Sequence, residues 1–159
     1  MNKDIEIMIE LQQFWDIILT SKDEIERSNK SITFWQDEIS SKKKDIEQLK
    51  NEIKGLKNEI KKNELELSDL ENKIIKLEER RNIIKTEKEL NALNHEVEIL
   101  QNGKGELEEQ ILELMDNLDS NENSESELSQ DIEDSEKQFE IDKQKIEEKI
   151  SLNEEKIRN

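Results

Sequence analysis

His95 is the only histidine in the chain, and no cysteine or tyrosine stands anywhere to work beside it. Nucleophilic catalysis needs a base, a nucleophile and an orienting group in register, and no Ser/His/Asp set of that kind is present. A thiolate-ligated zinc has no ligands within these residues, and a disulfide framework has no material. Glycine-rich phosphate loops and metal-ligand spacings are also missing from the sequence. What remains in quantity is carboxylate, with 42 Asp and Glu against 25 Lys and Arg. In a helical protein a run of Glu is normally a solvated face, so these residues read as surface. The expectation is a protein that is not an enzyme and holds no cofactor.

The composition narrows what could position any site. The chain has 159 residues, no Pro, three Gly, 42% charged residues and only 31% apolar ones. That is too little apolar material for an ordinary globular core, and fits either disorder or a long helix that buries one narrow stripe. A net charge of −17 argues against nonspecific nucleic-acid binding, which depends on Lys and Arg displacing counterions. Partners are expected to be proteins. The opening "MNKDIEIMIELQQFWDIIL" has no basic leader region and mixes its apolar residues with acids and amides. It reads as neither a signal peptide nor a membrane span. The lack of Cys is compatible with the cytoplasm, which is the expected location.

Regular spacing decides for helix. From Leu11 every seventh residue is apolar through Ile18, Ile25, Ile32, Ile39, Ile46, Ile53, Ile60, Leu67 and Ile74. Three residues after each stands a second seam position: Phe14, Ser21, Ser28, Trp35, Lys42, Leu49, Leu56, Asn63, Leu70 and Leu77. These are the a and d positions of a left-handed coiled coil. A second run places a at Leu90, Val97, Lys104, Ile111, Leu118, Glu125, Ile132, Phe139 and Ile146. Its d positions include Leu93, Leu100, Leu107, Leu114, Asn121, Leu128 and Ser135. His95 falls at an f position, on the solvent side.

The two runs differ in phase by two residues, and the local chemistry between them supports a reversal. "TEKE", Thr86 to Glu89, is a capping box in which Thr86 accepts from the Glu89 amide while Glu89 reaches back. Arg80 and Arg81 suit the negative end of one helix, and Glu87 and Glu89 the positive end of the next. Asn82 is suited to a left-handed closing residue. The predicted fold is all-α: a long antiparallel two-helix coiled-coil hairpin. Helix one covers about 4–80, the turn about 81–86 and helix two about 87–157, in one domain spanning 1–159. At 1.5 Å per residue such a hairpin would be about 120 Å long.

Antiparallel pairing sets an a residue against a d residue, so facing numbers share a constant sum. The heptads permit 160, 167 or 174. A sum of 167 sets Asn63 against Lys104, Lys42 against Glu125 and Ser28 against Phe139. The alternatives put polar seam residues against apolar ones, at about 1–3 kcal/mol for each group left unpaired. The sequence therefore favours 167, under which cysteines at 63 and 104 would crosslink within one chain. Residues 105–136 hold thirteen acids and no Lys or Arg, and the segment they would face carries Lys42, Lys43, Lys44, Lys50, Lys54, Lys57, Lys61 and Lys62. Such flanking charges select partner and direction more than they add stability. "NGKG" (Asn102 to Gly105) and "DSNENSESE" (Asp119 to Glu127) interrupt neither run, and read as soft helix rather than turns.

Two surfaces stand out as candidate contacts. At the turn, Ile83, Ile84, Lys85, Glu87, Asn91 and Asn94 offer apolar and amide groups beyond the paired seam. Ile83 and Ile84 have a plainer use as a plug for the end of the hairpin. Near the chain's start, Ile5, Met8, Trp15 and Leu19 form a second apolar stripe on one helical face. It reads either as ordinary exposed apolar surface or as a docking face for another domain or a second copy of the chain.

The run from Leu67 to Leu118, and within it "IKTEKELNALNHEVE", resembles a bacterial family of four-cysteine zinc-ribbon proteins with an N-terminal coiled-coil hairpin. The matching positions are Ile84, Lys85, Glu87, Glu89, Leu90, Ala92, Leu93 and Glu96, and "LEEQILELM" is similar to the segment that follows. The resemblance implies that the chain is the hairpin half of such a protein, with the zinc ribbon absent from these residues. The resemblance implies a protein-interaction adaptor or chaperone associated with the RpoN-type sigma factor and with flagellar or type III secretion components. Competing expectations are a purely structural coiled-coil spacer and, disfavoured by the charge, an RNA-binding protein.

Overall fold

A computed structural model describes residues 3–158. Two helices account for nearly all of them: α1, Lys3–Arg81, and α2, Glu87–Arg158. No strand occurs among the described residues. The helices form the antiparallel hairpin expected from the two heptad runs, with the reversal at residues 82–86. Helix α2 runs unbroken through Asn102–Gly105 and Asp119–Glu127, because Leu100, Leu107, Leu118 and Leu128 keep their seam step across both stretches. The chain divides into two compact units: Met1–Ile46 with Leu128–Asn159, and Glu47–Glu127.

In the unit Glu47–Glu127, burial follows the seam. Ile53, Ile60, Ile74, Leu93, Val97, Leu107 and Ile111 are buried, and Leu56, Leu70, Leu77, Leu100 and Leu114 are half-buried between them. Isoleucine dominates at a and leucine at d in α1, so each helix offers the other one apolar row while b, c and f positions carry the charge. Across the pair, Lys104 Nζ lies 3.8 Å from Glu71 Oε1 and Lys57 Nζ lies 3.7 Å from Glu122 Oε1.

In the unit Met1–Ile46 with Leu128–Asn159, the core is Ile39, Ile46 and Ile132. It is closed further along by a polar layer, Ser21 and Asn153, each only 4% exposed. Asn153 Nδ2 donates to Glu24 Oε2 at 2.8 Å, which supplies the partner that a buried amide requires. Lys42 Nζ donates to Ser135 Oγ at 3.2 Å and sits 3.0 Å from Asp131 Oδ2, while Lys43 Nζ lies 2.6 Å from Glu136 Oε1.

These contacts correct the register. In both units the pairings fit a facing sum of 174, not 167: Lys104 lies over Leu70 beside Glu71, and Lys42 over Ile132 between Asp131 and Ser135. Asn63 does not face Lys104, Lys42 does not face Glu125, and Ser28 does not face Phe139; Trp35 and Phe139 instead line one groove. The polar-against-polar rule fails because lysine needs to bury only its stem. The side chains of Lys42 and Lys104 lie in the seam with their ammonium groups at its edge, beside carboxylates. No buried side-chain nitrogen or oxygen among the described residues lacks a hydrogen-bond partner, so the penalty that favoured 167 does not arise.

The register has a direct consequence for α1. Arg158, the last described residue of α2, is opposite position 16, so no described residue of α2 faces the first turns of α1. Leu11 and Phe14, expected in the seam, are exposed for that reason.

Paired cysteines separate the registers. Leu70→Cys with Lys104→Cys should form an intramolecular disulfide under mild oxidation. Asn63→Cys with Lys104→Cys should not, since one heptad moves the partner about 10 Å along the axis. Non-reducing electrophoresis reads the result. Truncation of the seam is also expected to be costly: Ile53→Ala or Ile60→Ala should lose about 2–4 kcal/mol in urea unfolding. The exposed Leu65→Ala should stay within about 0.5 kcal/mol.

Candidate partner-binding surfaces

The turn is built from helix ends. Helix α1 closes with two tight i→i+3 bonds, Asn82 N to Glu79 O at 3.3 Å and Ile83 N to Arg80 O at 3.0 Å. No non-glycine residue among those described has a positive φ, so Asn82 does not take the left-handed conformation expected for it. A final 3₁₀-type turn satisfies orphan carbonyls of the helix end without that rearrangement. Thr86 caps α2: its Oγ1 accepts from the Glu89 amide at 3.3 Å and its carbonyl from the Leu90 amide at 3.1 Å. The reverse arm of the capping box, from Glu89 to the Thr86 amide, is not formed among the described residues.

Between these ends the two isoleucines separate in role. Ile84 is half-buried, as is Leu90 in the first turn of α2. Ile83 is 74% exposed. Lys85, Glu87, Asn91 and Asn94 are exposed as well. The turn therefore presents one large apolar side chain among amide, ammonium and carboxylate groups. A shallow groove lined by Lys73, Lys76, Leu77, Arg80 and Leu100 adds Lys73 and Lys76, which the sequence reading did not single out, to Arg80, which it read only as a helix-end charge. The cue for the two lysines was their i, i+3, i+7 spacing with Arg80 along one helical face.

The second surface belongs to the other unit and is described by itself. Ile5, Met8, Trp15 and Leu19 are all exposed. They are joined by Ile7, Ile9, Leu11, Phe14 and Ile17, which the sequence reading either assigned to the seam or passed over. The exposure of Ile7, Leu11 and Phe14 follows only from the register, which sets how far α2 reaches, whereas Ile9 and Ile17 lie off the a and d rows of the heptad. Trp35 is also 43% exposed despite its seam position, and stacks edge-on against Phe34 with ring centroids 5.5 Å apart. His95 is exposed. Among the described residues there is no cluster of three His, Cys, Asp or Glu able to hold a metal. No described helix is long and apolar enough to cross a membrane.

With the hairpin and its turn defined, the sequence can be set against known proteins. The profile of the CT398-like coiled coil hairpin domain matches residues 27–158, most of the chain. The chain belongs to the CT398-like hairpin family. Two solved structures share the fold of this CT398-like hairpin. CT398 from Chlamydia trachomatis superposes with a TM-score of 0.81 at 23% identity, over 95% of this chain and 64% of that one. The HP0958 protein from Helicobacter pylori gives a TM-score of 0.78 at 23% identity, over 99% of this chain and 66% of that one. The chain thus spans a little under two thirds of the length of both. At that identity the likeness carries the fold alone. No curated protein sequence matches the chain significantly.

The cap at the turn is open to a direct check. Thr86→Ala should cost about 1 kcal/mol by removing the acceptor for the Glu89 amide, whereas Thr86→Asn should restore most of it. Thermal unfolding followed by circular dichroism measures both.

Proposed function

We propose that this CT398-like hairpin is a non-enzymatic, cytoplasmic protein-interaction adaptor or chaperone that recognises a protein partner through its turn. The observation that carries the reading is the division of labour between the two turn isoleucines. Ile84 is half-buried, while Ile83 stands 74% exposed at the turn. A side chain used only to plug the end would be expected to fold inward. A large exposed apolar side chain at a turn whose Lys85, Asn91 and Asn94 are also exposed suits a partner with a small apolar pocket rimmed by polar groups.

The motif from Ile84 to Glu96 is the part of the chain most similar to the four-cysteine zinc-ribbon proteins, and it coincides with this surface. That likeness supports an RpoN-type sigma factor, or a flagellar or type III secretion component, as the partner class. Zinc is not proposed for these 159 residues, which contain no cysteine. The net charge of −17 counts against RNA as the principal ligand.

The test compares Ile83→Ser with Ile84→Ser in a binding assay against a purified RpoN-type sigma factor and purified flagellar or secretion components of the source organism. Ile83→Ser should reduce partner binding at least about tenfold, a loss of about 1.4 kcal/mol, with helicity unchanged. Ile84→Ser should lower the unfolding midpoint. Equal binding by Ile83→Ser and the parent chain to every component that binds overturns recognition through the turn. Binding to none of them, with end-to-end assembly in light scattering, would support a structural spacer instead. Detectable RNA binding that falls steeply with salt would favour the RNA reading.

A further inference from the structure

In a chain of net charge −17, one flank of the unit Glu47–Glu127 carries three cations that form no ion pair. Lys73, Lys76 and Arg80 line a shallow groove over Leu77 and Leu100, and all three are exposed. Their i, i+3, i+7 spacing sets like charges side by side, which weakens a helix unless something else neutralises them. Elsewhere in this unit Lys57 and Lys104 reach carboxylates on the facing helix. No ion pair among the described residues includes Lys73, Lys76 or Arg80.

The reason lies in α2. Lys73 and Arg80 stand at g and Lys76 at c, and antiparallel pairing sets this flank beside the g and c positions of the other helix. From Leu90 to Gly105 those positions are Ala92, Glu96, Ile99 and Gly103, one carboxylate for three cations. Glu79, at f, lies outside the groove. Ile99 is 56% exposed. It stands seven residues before Glu106, which lines the adjoining groove with Lys73 and Gly103, and so shares their flank. Next to Leu100, it widens the apolar stripe where the cations are. Past Lys73 the flank turns acidic, with Glu66, Asp69 and Glu106 around the adjoining groove. The cationic stretch is therefore short, about 10 Å from Lys73 to Arg80.

We infer that this groove docks a short acidic segment of a protein partner. Asp or Glu of the segment meets Lys73, Lys76 and Arg80, and a large apolar side chain rests on Leu77, Leu100 and Ile99. Arg80 can hold a carboxylate through two parallel hydrogen bonds, and the lysines act as point charges. Charge selects this occupant over the others. A second copy of the chain brings −17 against −17, and such net charge keeps proteins monomeric. A partner needs to be acidic only over the docking segment. Single-stranded nucleic acid binds by stacking its bases on aromatic side chains, and none lines this groove. The inference adds a surface to the adaptor reading and does not depend on contact through Ile83.

The test is a titration of the full chain with a fluorescein-labelled peptide of about ten residues, enough to span the cationic stretch. It bears two central Leu residues flanked by Glu, and a second peptide has Ser in place of Leu. Fluorescence anisotropy should show the Leu peptide binding, more weakly as salt rises, because exposed charges are screened beyond about 8 Å at physiological ionic strength. The double variant Lys73→Glu with Lys76→Glu should weaken it at least about tenfold, with helicity unchanged by circular dichroism. Lys54→Glu with Lys61→Glu makes the same change of charge at b positions away from the groove, and should have less than about a twofold effect. No binding of the Leu peptide overturns the inference, as does equal loss in the two double variants. Equal binding of the Ser peptide does so too, since the groove would then be a site for charge alone. Tighter binding of a short single-stranded RNA, lost in Lys73→Glu with Lys76→Glu, would make nucleic acid the occupant. A dimer in sedimentation that the same variant converts to monomer would make it a second copy. Failure of the peptide alongside loss of partner binding in Ile83→Ser would remove this inference and leave the proposed role of the turn standing.

Discussion

Everything in this chain depends on the burial of one narrow apolar row by another. With 31% apolar residues neither helix can build a core by itself, and helices of 79 and 72 residues owe their stability to tertiary packing rather than to propensity. The seam isoleucines show the outcome: Ile53, Ile60 and Ile74 are buried in a chain where nearly every neighbouring residue is solvated. Charge then decorates the seam. Lys42, Lys43, Lys57 and Lys104 reach carboxylates on the facing helix, and exposed pairs of this kind guide alignment more than they stabilise.

The seam also determines which residues remain for function. A strict heptad hides a and d and leaves the rest to solvent, so a contact surface can arise only where the pairing ends or the stripe widens. Both candidate surfaces obey that rule. At the turn, the close of α1 and the Thr86 cap of α2 leave Ile84 to fold inward and Ile83 to project. In the first turns of α1, the seam row continues past the last described residue of α2, and a flanking row at Ile5, Met8, Trp15 and Leu19 doubles its width.

The hairpin was legible because its signals are local. The heptad rows, the two-residue phase slip and the Thr86 cap each depend on residues close in sequence, and the helices, the reversal at 82–86 and the cap appear where they indicate. What the sequence did not disclose is nonlocal. The choice between 167 and 174 rested on pairing Asn63 with Lys104 and Lys42 with Glu125, which treats a lysine as though it were buried whole. A flexible four-carbon stem escapes that penalty by reaching Glu71 or Asp131. The exposure of Leu11 and Phe14 then followed from register alone, and no reading of their own neighbourhood could have found it. Asn82 illustrates the same limit at smaller scale: a residue able to adopt the left-handed conformation is not compelled to when a 3₁₀ turn closes the helix.

The central claim is the register that places the last described residue of α2 opposite position 16 of α1. Hydrogen–deuterium exchange resolved along α1 tests it most directly, because helical amides without a packed partner open far more readily than those under a buried seam. The account predicts fast exchange from Lys3 to about Trp15 and a rise in protection from about Ile18 onward. Protection that already rises at position 9, where a facing sum of 167 would bring α2, would contradict it.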